Sequence, residues 1–322
     1  MKKLLVLIII AVLSISLILV LKYKNFDKAS ETGHSLLYEH EGGIEQYSND
    51  DNKDGFSING ILPSFSKPSA EQTEKKNYSL LIKELKNYLK DKPGTYGLHF
   101  ISLNNRIRFG INDNQGFVAA STTKVPINLY LFNRIVQKKV NPDTMLVYEE
   151  EDYEEGTGSI QYKKTGTKYS IRELSRLSIV QSDNVANNML VKHLGWGNIK
   201  KFMESIVKHE VDYEHNTFTP RDMATFMKAV LDFSKKYKNE GNELLEYLEN
   251  TEFNDRMPLY LPEGTIVAHK IGTQVRAIND IGIVFAENPF ILSVMSKDIN
   301  DDNQACEVIA SLTKIIYDFE QK

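Results

Sequence analysis

The chain has almost no cysteine: Cys306 is the single one in 322 residues. A disulfide within the chain is therefore impossible, and a lone cysteine in an apolar helical stretch reads as a small buried residue. Metal-ligand spacing is lacking too. The seven histidines are scattered without H-E-x-x-H or a comparable pattern, which argues against a zinc hydrolase and gives an expectation of no metal and no cofactor. Neither sign of charge dominates. Lys and Arg number 39 against 43 Asp and Glu, a formal net charge of -4, so nothing points to nucleic acid as a partner. No internal repeat is evident.

One long apolar run is present. Lys2 and Lys3 precede residues 4–21, whose only polar members are Ser14 and Ser16; a helix needs about 20 such residues to span hydrocarbon. Residues 20–24 offer neither an A-x-A-like cleavage site nor a lipid-accepting cysteine, unlike a signal peptide. The expectation is an uncleaved single-pass membrane anchor over 1–23 with the rest of the chain extracytoplasmic, although Lys22 and Lys24 place basic residues on the far flank as well. Residues 24–77 are polar and turn-rich, with Gly42-Gly43 and Asn49-Asp50-Asp51-Asn52. They keep no period of 2 or 3.6, and such a stretch buries too little apolar area to offset its conformational entropy. A flexible stalk is expected there.

The folded domain is expected over 78–322. Leu80, Leu81, Leu85, Tyr88 and Leu89 recur at helical spacing, and Asp91-Lys92-Pro93-Gly94 stops that helix. Residues 96–103 and 106–111 read as a hairpin around Asn104-Asn105. A long helix is expected from Ser121, others over 170–180, 184–193 and from Pro220 to about residue 233, three strands over 265–270, 281–286 and 290–296, and a closing amphipathic helix over 304–320. Strands at both ends with helices between them imply an α/β (α+β) fold in which an antiparallel sheet is flanked by helices, plus a helical lobe.

Three motifs in that order carry chemistry: Ser121-Thr122-Thr123-Lys124, Ser182-Asp183-Asn184, and His269-Lys270-Ile271-Gly272-Thr273. S-x-x-K alone says little, since it also occurs at Ser64/Lys67, Ser205/Lys208 and Ser311/Lys314; only Ser121 is followed by the other two. A serine hydroxyl is a poor nucleophile near neutrality and needs a base within reach and donors for the developing oxyanion. Residues at i and i+3 share a helix face, which brings Lys124 over Ser121. Pro126 is tolerable in a helical first turn. Each motif also has an ordinary explanation: a Ser/Thr cap followed by a solvated lysine, an N-cap at Asp183 or Asn184, a lysine on an edge strand at Lys270, a solvated loop arginine at Arg276.

The ordered set S-x-x-K-x-P, S-D-N, T-P-x-x-M-A (residues 219–224) and H-K-x-G-T resembles the class A β-lactamases among the penicillin-recognising serine enzymes, over roughly 78–322. The resemblance implies a β-lactamase/transpeptidase-like fold. It also implies Ser121 as nucleophile, Lys124 as its base, Ser182 and Lys270 as a proton relay, and Asn184, Gly272, Thr273 and Arg276 as substrate-binding residues. The chain departs from the family at Lys270-Ile271-Gly272, where K-T-G or K-S-G is usual; strand alternation turns Ile271 away from the cleft. It departs again between Leu194 and Phe218, where the family's water-activating E-x-x-L-N is absent and Glu210 and Glu214 read as solvated. Gly156-Thr157-Gly158-Ser159 is expected to rim the cleft. The implied function is an acyl-enzyme formed with β-lactams or peptidoglycan stem peptides, with altered or slow deacylation. The alternatives are a β-lactam or peptidoglycan-fragment sensor without turnover and a D-alanyl-D-alanine carboxypeptidase.

Overall fold

The computed structural model describes residues 76–322. Helix α1, Tyr78–Leu89, leads through a turn to strands β1, Thr95–Ser102, β2, Arg108–Ile111, and β3, Phe117–Val118. A 3-10 turn, Ala120–Thr123, precedes α2, Lys124–Val136, and β4, Met145–Val147. Short 3-10 turns at Glu150–Asp152 and Ile160–Tyr162 lead to β5, Lys168–Ser170, then α3, Ile171–Val180, α4, Asn184–Leu194, and α5, Trp196–Val207. Strand β6, Thr217–Phe218, enters α6, Pro220–Lys236, followed by α7, Lys238–Glu249, β7, Ile266–Gln274, β8, Ala277–Phe285, β9, Phe290–Lys297, and α8, Asp302–Glu320.

The main sheet is antiparallel in the order β2-β1-β9-β8-β7. It is covered on both faces, which is why β8 is buried along its whole length. Alternate residues divide accordingly. Leu98, Phe100, Leu292 and Val294 pack with Leu81 and Leu85 of α1 and Ile309 and Leu312 of α8. Ile281, Ile283, Ile291 and Met295 face the helical lobe with Leu129, Leu190, Phe226 and Val230. Helix α6 runs through that lobe with Met223, Ala224 and Met227 fully buried. Its start is written in the sequence. Thr219 accepts from the Asp222 N–H at 3.1 Å while Asp222 accepts from the Thr219 N–H at 3.0 Å, with Pro220 at the first helical position.

The expected fold class is the observed one, an antiparallel sheet flanked by helices with a helical lobe. Some boundaries differ. Residues 120–123 form a 3-10 turn, and the α-helix starts at Lys124 rather than Ser121. Helices α5 and α7 were not anticipated, and β7 and β8 form one long hairpin turning at Val275-Arg276. The membrane localisation is corrected: among the described residues no helix is long and apolar enough to cross a membrane. The anchor expected over 1–23 and all of the stalk expected over 24–77 but its last two residues lie outside the described residues; of those two, Asn77 caps α1 by accepting from the Ser79 N–H.

Candidate active site

The nucleophile candidate stands where β3 meets the 3-10 turn. Ala120, just before it, has φ 52, a left-handed conformation costing a non-glycine residue roughly 1–2 kcal/mol. The surroundings hold it there. Asn279 of β8 donates to Val118 O at 2.8 Å and Ala119 O at 3.2 Å, Thr122 Oγ1 donates to Ala119 O at 2.8 Å, and Thr123 Oγ1 to Ala120 O at 2.9 Å. Ser121, partly buried, is thereby pinned at the tip of α2.

Lys124, the first residue of α2, is 3 % exposed. Its Nζ donates to Ser182 O at 2.5 Å, Asn184 Oδ1 at 2.7 Å and Ser182 Oγ at 3.3 Å. The side chain thus ties the helix that follows Ser121 to S-D-N. Burial pulls its ammonium down to about 7, against the opposing pull of the Glu154 and Asp183 carboxylates. An amine in that range is a usable base near neutral pH.

S-D-N sits between α3 and α4, with Ser182 at φ 54. Asp183 caps α4 by accepting from the Ala186 N–H at 2.9 Å, and its other oxygen accepts from the Ile160 N–H at 2.9 Å. The loop at 156–159 is bound to the same motif: Thr157 Oγ1 donates to Ser182 O at 2.7 Å and the Asn184 N–H to Thr157 O at 3.2 Å. Gly158 has φ +103 and would carry a Cβ 2.2 Å from the Asp183 carboxylate carbon, so only glycine fits. Asn184 turns its amide nitrogen towards Glu155 O at 3.4 Å.

The opposite wall is β7, at the edge of the sheet. Gly272 lies so close to the nucleophile's turn that a Cβ there would come within 2.5 Å of Ala119 O. Lys270 is fully buried, and its Nζ donates to Ile271 O at 3.2 Å. Burial first, then the Lys124 charge, hold this amine well below the usual lysine range. Thr273 is exposed on the same strand, and its Oγ1 accepts from Arg256 Nη2 at 2.6 Å. That arginine also donates to Gly272 O at 3.1 Å and Asn279 O at 2.7 Å.

The connection from α5 to α6 closes a third side. The Ala119 N–H donates to Asn216 O at 2.8 Å, and Asn216 Nδ2 to Ala120 O at 3.2 Å. Since Ala120 O can only accept, the Asn216 amide orientation is fixed. Its Oδ1 is buried without a donor among the described residues.

The sequence matches the family described as "Beta-lactamase enzyme family" over residues 80–319. The chain belongs to the beta-lactamase enzyme family. Among its relatives in that family is the extended-spectrum beta-lactamase PER-1 of Pseudomonas aeruginosa, 24% identical over 271 residues, which span 76% of this chain and 88% of that protein. The solved structure of PBP-A superposes with a TM-score of 0.71 at 26% identity, covering 76% of this chain and 97% of that one. A point mutant of PBP-A in an acyl-enzyme complex with penicillin-G gives 0.70 at 25% identity, covering 78% and 100%. A serine hydrolase of the beta-lactamase type follows for this chain.

Within this beta-lactamase-family domain, Ser121, Lys124, Ser182, Asn184, Lys270, Gly272 and Thr273 come from three distant segments to one cleft. Arg276 does not join them. It sits in the β7–β8 turn with φ 60, exposed, its Nη2 3.5 Å from Asp298 Oδ1. The basic group that does reach Thr273 is Arg256, which the sequence analysis missed; it lies in irregular chain between α7 and β7, where no local pattern marks it. Asn216 was missed for the same reason. Glu210 is 85% exposed and paired with Lys200 at 3.2 Å, and Glu214 is exposed.

Proposed function

We propose that residues 78–322 form an active-site-serine hydrolase domain that acylates Ser121 with β-lactams or related cell-wall peptides and releases the product slowly. The observation that carries the proposal is Lys124: a buried amine at about 7, hydrogen-bonded to both Ser182 and Asn184 one helical turn from Ser121. In the proposed acylation the Ser121 Oγ proton passes to neutral Lys124 Nζ as Oγ bonds the carbonyl carbon. The backbone N–H groups of Ser121 and Thr273 take the oxyanion, and Asn184 Nδ2 binds the substrate's side-chain amide. As the C–N bond breaks, Lys124 returns the proton through Ser182 Oγ, 3.3 Å away, to the departing nitrogen. The Lys270 amine draws a substrate carboxylate to this wall, and Thr273, oriented by Arg256, donates its hydroxyl to that carboxylate.

Slow release is supported by the α5–α6 connection, where Glu210 and Glu214 face solvent and the group beside the nucleophile's turn is the carboxamide of Asn216. A carboxamide oxygen can orient a water molecule, but it cannot accept its proton. The same observation favours a second reading, a binding or sensing protein whose long-lived acyl state is the output. The acyl-enzyme complex of the PBP-A mutant with penicillin-G supports acylation as a common step of both readings.

The full chain is treated with a fluorescent penicillin and the mass of the Ser121 peptide followed over time. An adduct lasting minutes or longer is expected. Loss within seconds would replace slow release with efficient hydrolysis. Absence of any adduct, together with Ser121-dependent cleavage of a D-alanyl-D-alanine peptide, would replace the β-lactam reading with a carboxypeptidase.

A further inference from the structure

A second concave site lies away from the serine cleft, where the C-terminal end of α7 meets the first residues of β7. Its cavity is about 340 Å³, at the small end of ligand pockets and enough for roughly a dozen non-hydrogen atoms. Glu249, the last residue of α7, Asn250, Asn254 and Thr265 line it, together with Ile266 and Val267 on the sheet edge. The Glu249 carboxyl makes no hydrogen bond or ion pair with a described residue. The Asn250 amide nitrogen donates one N–H to Glu246 O at 2.7 Å, which fixes the amide with its oxygen free to accept. A helix C-terminus also carries partial negative charge. The carboxyl and the amide oxygen favour a cation, and no described lysine or arginine lines the cavity.

We infer that this cavity binds a small ligand through a primary ammonium group, held by the Glu249 carboxylate and the Asn250 side-chain oxygen at the end of α7.

The protonation of Glu249 fits that role. Burial, and next the neighbouring carboxylate of Glu246, raise its carboxyl to about 7, and no other titratable side chain lines the cavity. Near neutral pH the empty site therefore holds a substantial share of protonated acid, which ionises when an ammonium group enters and releases its proton to solvent. The site also touches the framework of the cleft. Asn254 Oδ1 lies 3.3 Å from His269 Nε2, His269 Nδ1 lies 3.0 Å from Asp280 Oδ1, and the Met257 N–H donates to Asp280 Oδ2 at 3.1 Å. Asn254 and Met257 thus bracket Arg256, the residue that orients Thr273.

The test is calorimetric titration of the full chain with 1,4-diaminobutane at pH 6.5 in two buffers of different ionisation enthalpy. Binding with net proton release is expected, weakened at least tenfold in Glu249→Gln and tightened about threefold in Asn250→Asp, while Glu154→Gln, which removes a carboxylate at the cleft rim, leaves it unchanged. Equal affinity for wild type and Glu249→Gln, loss of binding in Glu154→Gln, or no binding heat at all would each overturn the inference. Asn250→Asp keeps the test decisive should Glu249→Gln fold poorly, since failure to tighten would also contradict it. Because the readout is binding alone, it is independent of whether Ser121 is acylated.

Discussion

The two walls of the cleft are held by different means. On the helical side, Lys124, Ser182, Asp183, Asn184 and the 156–160 loop form a network in which side chains bond to backbone and to one another. On the sheet side, β7 is set by strand pairing with β8 and by bare backbone contact at Gly272, with the side chains of Arg256, Asn254 and Asp280 tying it from behind. The helical wall is consequently sensitive to the chemistry of single groups, the sheet wall to volume.

The largest effect expected from this contrast is a pH dependence of stability. Lys124 has a folded-state value of about 7 against 10.5 for a free lysine, so folding penalises its charged form. The penalty is fully present below about 7 and vanishes above 10.5, which makes wild-type stability climb over that window. The Lys124 contribution is on the order of 5 kcal/mol, with Lys270 acting in the same direction. Urea unfolding at pH 7 and pH 9.5 should show the rise, and Lys124→Met should reduce it; an unchanged difference would mean that the amine is not desolvated as described. Next comes Gly272→Ala, which forces a methyl against Ala119 O. A loss of about 3 kcal/mol by thermal unfolding, with acylation at least a hundredfold slower, would identify the sheet wall as the volume-limited one.

Asp183→Asn should cost less. The amide keeps one acceptor for the cap of α4 but presents N–H to the Ile160 N–H, a mismatch worth about 1–3 kcal/mol, and protection of the 156–160 amides from hydrogen exchange should drop before global unfolding. Smallest of all is Arg276→Ala. The pair with Asp298 is exposed on both sides, so stability should move by no more than about 0.5 kcal/mol and acylation hardly at all. A tenfold rise in KM for a carboxylate-bearing substrate would return Arg276 to the site in place of Arg256.

What the sequence revealed and what it hid follow the same physical divide. Capping and periodicity are local, so Asp183 at the head of α4, the Thr219-Pro220 start of α6 and the apolar spacing of α1 were legible. Helix α7 was not: its first half, residues 238–243, holds Gly241 and otherwise only polar residues, and the helix is held by packing against α6 and β7 rather than by propensity. Strand β7 was expected to stop at Lys270, because a buried lysine is unreadable as strand interior until its cleft exists. Arg256 and Asn216 enter the site only through contacts with residues 16 or more positions away, which no window of the sequence contains.

The central claim, that Lys124 in its neutral form activates Ser121, is tested most directly by the pH profile of single-turnover acylation with a penicillin. The account predicts a rate that rises about tenfold per pH unit below about 7 and levels off above it, with the rise abolished and the rate at least a thousandfold lower in Lys124→Met. A wild-type rate flat from pH 5 to pH 9, or a Lys124→Met variant that acylates like wild type, would contradict it.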